Sequence, residues 1–137
     1  MKFFIAASYS SKVDYASGEV FPDFKHYLEG ILAQLEAQGH TVFCAMREDG
    51  YKINKDEPVA AYHLDLENIQ NSDALLAIVD NDPSTGVQTE IGIAVALGKR
   101  VFLAHEAQDA LAYFNNAMVR AGAVTEIILP LDASKLA

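Results

Sequence analysis

The chain alternates short apolar runs with longer segments whose apolar residues recur at helical spacing. "KFFIAAS" (Lys2–Ser8) is a continuous apolar run closing on small residues, the pattern of a strand buried on both faces. From Phe24 to Gln38, Tyr27, Leu28, Ile31, Leu32 and Leu35 fall on one helical face, and Gly39 supplies the stop. "HTVFCA" reads as a second strand, and "REDGYKINKDE" as a polar loop. Pro58 suits a helix's first turn; Tyr62, Leu66 and Ile69 continue that helix to about Asn71. "DALLAIVD" is the clearest strand. Thr89 to Leu97 reads as a helix ended by Gly98, which places Glu90 in its first turn. "RVFLAH" is a fourth strand, Ala107 to Arg120 is helical in part, and "TEIILPL" is a fifth strand ending at Pro130.

Strands separated by helices imply parallel β-α units joined by right-handed crossovers. The expected fold is therefore α/β: a flavodoxin-like, doubly wound five-stranded parallel sheet in a three-layer α/β/α sandwich, one domain over residues 1–137. Ligands of such folds sit at the carboxyl ends of the strands, near the switch in strand order. That rule gathers residues 7–11, 47–51, 80–90 and His105 onto one rim.

Charge narrows the partners. Lysines and arginines number 10 against 19 aspartates and glutamates, a net charge of -9. A chain this acidic repels a nucleic-acid backbone, and no basic cluster offsets it. Small anions remain acceptable, since a few backbone amides hold a phosphate locally. Cys44 is the single cysteine, so neither an internal disulfide nor a cysteine-rich metal site is expected. His26, His40, His63 and His105 have no metal-ligand spacing and read as structural. No apolar stretch approaches a membrane span, and "MKFFIAASYSS" is too short for a signal peptide; the cytoplasm is the expected compartment.

Two carboxylates stand out. Glu90 follows a strand end and a glycine-containing turn, where Gly86 would relieve the turn and Gly92 would bring the helix close to the sheet. Its plain explanation is complementing the helix dipole; the sharper one is a nucleophile facing the crevice. Asp65 lies mid-helix between Leu64 and Leu66, an unfavourable place for aspartate unless it has a partner or a task. "DPSTG" could be an ordinary turn or an anion site at a helix N-terminus, and "ASYSSK" a second such loop. The sequence matches neither the dinucleotide fingerprint nor the NTP loop, and it has no serine elbow. Cys44, inside an apolar strand, reads as an inert thiol.

From Asp65 to Val101 the chain reads "DLENIQNSDALLAIVDNDPSTGVQTEIGIAVALGKRV". This resembles the signature of nucleoside 2-deoxyribosyltransferases and the related nucleoside 5′-monophosphate N-glycosidases. Weaker similarity lies at "KFFIAASYS", "GYK" and "NNAMVRAG". The resemblance implies Glu90 as a nucleophile on the anomeric carbon and Asp65 as the residue that positions substrate and assists proton transfer. It implies no metal or organic cofactor.

Three positions bear on subtype within that resemblance. Six residues before the nucleophile, free-nucleoside transferases carry an aspartate for the 5′-hydroxyl. Ser84 stands there, as in the nucleotide hydrolases, and a hydroxyl suits a phosphate better than a carboxylate does. Phe4 replaces a first-strand tyrosine of the transferases and would leave room for a ribose 2′-hydroxyl. Asn116 matches the transferases' asparagine in a segment inserted by a neighbouring subunit, with Met118 lining the pocket, so a homodimer or larger homo-oligomer is implied. Ser8, Ser84 and the Gly86 amide would grip the phosphate and "REDGYK" would face the base. The leading expectation is hydrolysis of a nucleoside 5′-monophosphate. Base exchange between 2′-deoxynucleosides is the alternative; a nucleotide sensor or an NAD glycohydrolase stands further off.

Overall fold

The computed structural model describes residues 1–53 and 57–136. Five parallel strands form one sheet in the order β4-β1-β5-β6-β7, with β1 at Lys2–Ala7, β4 at Thr41–Cys44, β5 at Ala74–Ile78, β6 at Arg100–Glu106 and β7 at Thr125–Leu129. Two further strands, β2 (Val13–Asp14) and β3 (Glu19–Val20), make a small antiparallel hairpin after β1. Helices α1 (Pro22–Ala37), α2 (Ala45–Glu48), α3 (Pro58–Gln70), α4 (Thr85–Ala96) and α5 (Tyr113–Arg120) complete the regular structure, with a 3₁₀ turn at Ala133–Leu136.

The period of two along each strand divides the core in half. Phe3 and Ile5 of β1, Ala74 and Leu76 of β5, and Phe102 and Ala104 of β6 pack beneath α1, with Leu28, Ile31, Leu32 and Leu35. Phe4 and Ala6, Leu75 and Ala77, and Val101 and Leu103 face the other way, against Ile69 of α3 and Val87, Ile91 and Ala94 of α4. Both faces are covered, as expected for strands apolar at nearly every position. The three-layer sandwich is the one anticipated.

Connections from the neighbouring strands β1 and β5 leave toward opposite faces, α1 on one side and α4 on the other. A crevice opens between such diverging connections. It lies where Ser8 follows β1 and Ser84 precedes α4.

Several local expectations change. β4 stops at Cys44, one residue before the expected strand end, and Ala45–Glu48 forms one helical turn that takes in the start of the expected polar loop. Ala, Met, Arg and Glu all favour helix, and buried Met46 anchors the turn. Asn54, Lys55 and Asp56 of that expected loop lie outside the described residues. The hairpin of β2 and β3 was not anticipated, since two-residue strands carry no periodicity. Of residues 107–120, only Tyr113–Arg120 is helical.

The largest change concerns α4. It begins at Thr85, capped by the Ser84 hydroxyl, which accepts from the Val87 N–H at 3.2 Å. Glu90 is therefore the sixth residue of the helix, and no acidic residue occupies the first turn. The dipole explanation fails, because that effect fades beyond the first turn. Gly86 is the second residue of α4 and needs no turn conformation. Gly92 is solvent-exposed, and a Cβ there would meet nothing within 4 Å, so it does not draw the helix onto the sheet.

Candidate active site

On α4, Val87, Ile91 and Ala94 are buried against the sheet. Glu90 completes that set at i, i+3, i+4 and i+7, the spacing of an inward-facing stripe. On α3, Tyr62, Asp65, Leu66 and Ile69 follow the same spacing, and Ile69 is buried. Each helix thus places a carboxylate four residues before a deeply buried apolar residue. The two helices pack side by side on one face of the sheet, which brings both acids together.

Glu90 and Asp65 line one small cleft with Ile5 and Ala7 of β1, Tyr9 beyond that strand's end, and residues 44–46. The cleft holds about 50 Å³, room for the reacting part of a ligand rather than a whole nucleoside. A shallower groove of about 250 Å³ between α3 and α4 reaches the same two acids from outside, past Tyr62, Gly86 and Ile93.

Neither carboxyl has a described hydrogen-bond or ion-pair partner. Burial therefore acts on them unopposed. It pushes Glu90 up to about 8, with the neighbouring Asp65 charge adding to the effect. Burial likewise lifts Asp65 to about 6, helped by Asp49. Two interacting acids titrate as a pair. Between about pH 6 and pH 8 this pair holds one proton and one negative charge.

Tyr9 was not singled out from the sequence. Its hydroxyl donates to Asp49 Oδ2 at 2.5 Å, and burial raises its pKa further. Through it Asp49 of "REDGYK" reaches the cleft. Arg47 of the same segment turns away, bonding Glu36 Oε1 at 2.8 Å and the Val42 carbonyl. Cys44 is buried with its thiol pKa raised, as befits an unreactive cysteine.

A second, larger cavity of about 320 Å³ opens under α1 at the ends of β1, β5 and β6. Buried Ser8 and the cap residue Ser84 stand on its wall, with Lys12, Phe24 and Asp80. Thr85 and Gly86 begin α4, so their amides have no intrahelical acceptor. Glu106, rather than His105, is the β6 residue facing this cavity, where it accepts from the Tyr27 hydroxyl at 2.9 Å. His105 is buried between the Glu106 carbonyl and Glu126, a structural role.

The remaining sequence-selected residues lie elsewhere. Phe4 is fully buried, stacked on Phe43 at 5.5 Å, and lines neither cavity. Asn116 is exposed on α5, while Met118 packs against the core beside Val119. Their neighbour Asn115 is buried and accepts from Gln88 Nε2 at 2.9 Å, tying α5 to α4. Tyr113 and Phe114 leave large apolar surfaces exposed at the start of α5. Among the described residues no cluster of His, Cys, Asp or Glu is arranged to hold a metal, and no helix is long and apolar enough to cross a membrane.

Solved structures share this fold. The Clostridium botulinum CMP N-glycosidase BcmB is 23% identical, with a TM-score of 0.70 over 99% of this chain and 97% of that one. The 2-deoxyribosyltransferase of Bacillus psychrosaccharolyticus is 19% identical, with a TM-score of 0.69 over 99% and 90%. BlsM is 22% identical, with a TM-score of 0.75 over 98% and 83%. No curated protein sequence matches the chain. Residues 15–127 match the sequence model of one family, a span that holds both carboxylates and Ser84, and the chain belongs to that family, the nucleoside 2-deoxyribosyltransferases.

Proposed function

We propose that this enzyme hydrolyses the N-glycosidic bond of a nucleoside 5′-monophosphate through a glycosyl ester on Glu90. The observation that carries the reading is the pair of carboxyls, Glu90 and Asp65, that line one cleft without a described partner, where burial raises the pKa of both.

The chemistry needs one carboxylate and one carboxylic acid. An oxygen of ionised Glu90 attacks C1′ of the sugar. The C1′–N bond breaks, its electron pair leaves with the base, and the base takes a proton from Asp65. Attack requires the pair's one proton on Asp65 and its charge on Glu90. Water then gives a proton to Asp65 and attacks C1′ from the face the base left, opposite the Glu90 ester. The ester bond breaks and Glu90 is restored. The two carboxyls and one water account for every proton and bond in this sequence.

Ser8, Ser84 and the Gly86 amide are assigned to the 5′-phosphate. The Ser84 oxygen accepts from Val87 but keeps its proton to donate. Phe4 acts only by packing, since it lies in the core. Asn116 is assigned to the site of a neighbouring subunit, which its exposure permits; Met118, turned inward, would need α5 to shift to join it.

Base exchange between 2′-deoxynucleosides is the second reading, favoured by membership of the family and by Asn116. It shares the first half of the mechanism and differs in what resolves the ester. Incubation with dCMP, CMP, dGMP and deoxycytidine, with and without adenine, separates the two. Hydrolysis predicts free base and sugar 5-phosphate with or without adenine. New deoxyadenosine without free sugar would overturn it.

A further inference from the structure

We infer that Lys12 is the residue that lets this site accept a 5′-phosphate, and that Asp80 holds it in reserve when the site is empty. The inference rests on the nucleotide reading above and adds a specificity-determining pair to it.

Lys12 is the one cation on the wall of the larger cavity, which it shares with Ser8 and Ser84. Three carboxylates besides Asp80 face the same space: Asp23, Glu106 and Asp109. The two hydroxyls can donate to a phosphate, but the field of the surrounding carboxylates opposes a dianion. Without a cation the cavity suits a neutral 5′-hydroxyl. With Lys12 delivered to the phosphate, the balance changes at the one point where it matters.

Its present contacts are those of a side chain that can be delivered. The Lys12 backbone is fixed on both sides: its N–H donates to the Tyr9 carbonyl at 3.0 Å and its carbonyl accepts from the Phe21 N–H at 2.9 Å. The side chain beyond is weakly held. Nζ lies 3.6 Å from Asp80 Oδ2, an ion pair without a hydrogen bond, and 5.1 Å from the centre of the Phe24 ring. Both partners are partly solvent-exposed, where such a pair contributes little. A phosphate offers three oxygens and up to two charges, a better partner for an ammonium than this distant carboxylate.

Asp80 is better anchored than the lysine it holds. Its Oδ1 accepts from the Asp82 N–H at 2.9 Å, fixing the carboxylate in the loop leading to Ser84. The pair therefore bridges the loop after β1 to the loop before α4, the same two loops that carry Ser8 and Ser84. Substrate would exchange an intramolecular pair for an intermolecular one without moving the backbone.

Asp80 and Lys12 make opposite predictions. Lys12→Met removes the cation but keeps an unbranched side chain against Phe24. Asp80→Asn removes the competing charge but keeps the oxygen that accepts from Asp82. The measurement is kcat/KM for a nucleoside 5′-monophosphate divided by that for its nucleoside, using whichever of dCMP, dAMP, dGMP or dTMP the wild type cleaves. Lys12→Met should lower that ratio about tenfold to a hundredfold, as expected for losing a hydrogen bond to a charged group. Lys12→Arg should restore most of it. Asp80→Asn should raise it a few-fold. If the wild type prefers the nucleotide but neither variant moves the ratio, the assignment of Lys12 falls alone. A wild type that prefers nucleosides, or cleaves neither, overturns the nucleotide reading and this inference with it.

Discussion

At one end of the crevice, Glu90 and Asp65 occupy helix positions that their neighbours fill with apolar residues. At the other, Ser8, Lys12, Asp80 and Ser84 come from loops and are already engaged by hydrogen bonds or an ion pair. The first end is narrow and partly buried, and its carboxyls have no described partner. The second is wider, charged and adaptable. Reaction chemistry and substrate selection ask for this contrast. A carboxylate becomes reactive when protein withholds the groups that would stabilise its charge. A phosphate is held by groups that can exchange one partner for another.

The sharpest way to break the contrast is to remove the nucleophile. Glu90→Ala should lower kcat by about 10⁴-fold or more, since the other carboxyl of the cleft, Asp65, is needed as the acid. Chromatography of released base is the measurement, and turnover near the wild-type rate would end the mechanism. Glu90→Gln should fail equally while keeping the shape of the cleft, which separates chemistry from packing.

Asp65→Asn comes next, with a loss of about 10²–10⁴-fold, the usual worth of a positioned acid. Its signature is in the pH profile. The wild type should be bell-shaped with limbs near 6 and 8, because the pair needs both its proton and its charge. Below the lower limb both carboxyls are protonated and no nucleophile exists. Above the upper limb both are ionised and no acid remains. Asp65→Asn removes one titrating group, so the bell should collapse to a single limb. A profile of unchanged shape would separate Asp65 from proton transfer.

The same burial has a cost in stability, and its sign is definite. Glu90 binds its proton more tightly in the folded protein, up to about 8 against an ordinary 4.5. Stability therefore falls as pH rises from about 4.5 to about 8, since folding must keep either the proton or a buried charge. Glu90→Gln removes that penalty. Its Tm should match wild type at pH 4 and exceed it above pH 8 by several degrees. A variant less stable than wild type at pH 8 would show that the cleft holds the ionised acid without strain.

The two ends were not equally legible in the sequence. Alternating apolar runs specify a doubly wound sheet because each strand is buried on both faces, and the strand-end rule then locates the rim. Glu90 could be selected because it follows the end of the clearest strand and fits a family motif, and Asp65 because aspartate is out of place mid-helix between two leucines. The full pattern showed only when the cap at Ser84 moved the start of α4 back to Thr85, which put Val87, Glu90, Ile91 and Ala94 in register. Lys12, Asp80, Tyr9 and Asp49 carried no such signal. They lie in irregular segments where polar residues are ordinary, and their proximity comes from the fold: Tyr9 meets Asp49 across 40 residues of chain. Phe4 stands where the transferases carry a tyrosine, and its side of β1 belongs to the core.

Ser84 links the two ends, and it offers the smallest but cleanest test. It caps α4, the helix that carries Glu90, and also stands on the wall of the wider cavity. Ser84→Ala loses both roles, costing about 0.5–2 kcal/mol of stability through the cap alone. Ser84→Asp separates them. Aspartate caps as well as serine does, so stability measured by thermal or urea unfolding should stay within about 0.5 kcal/mol of wild type. Its carboxylate nevertheless faces the site assigned to the phosphate, where it repels a dianion and accepts from a free 5′-hydroxyl. The preference for nucleotide over nucleoside should therefore fall in Ser84→Asp with the fold intact. If that preference survives in a variant that caps normally, the phosphate does not approach Ser84, and the wider cavity serves some other part of the substrate.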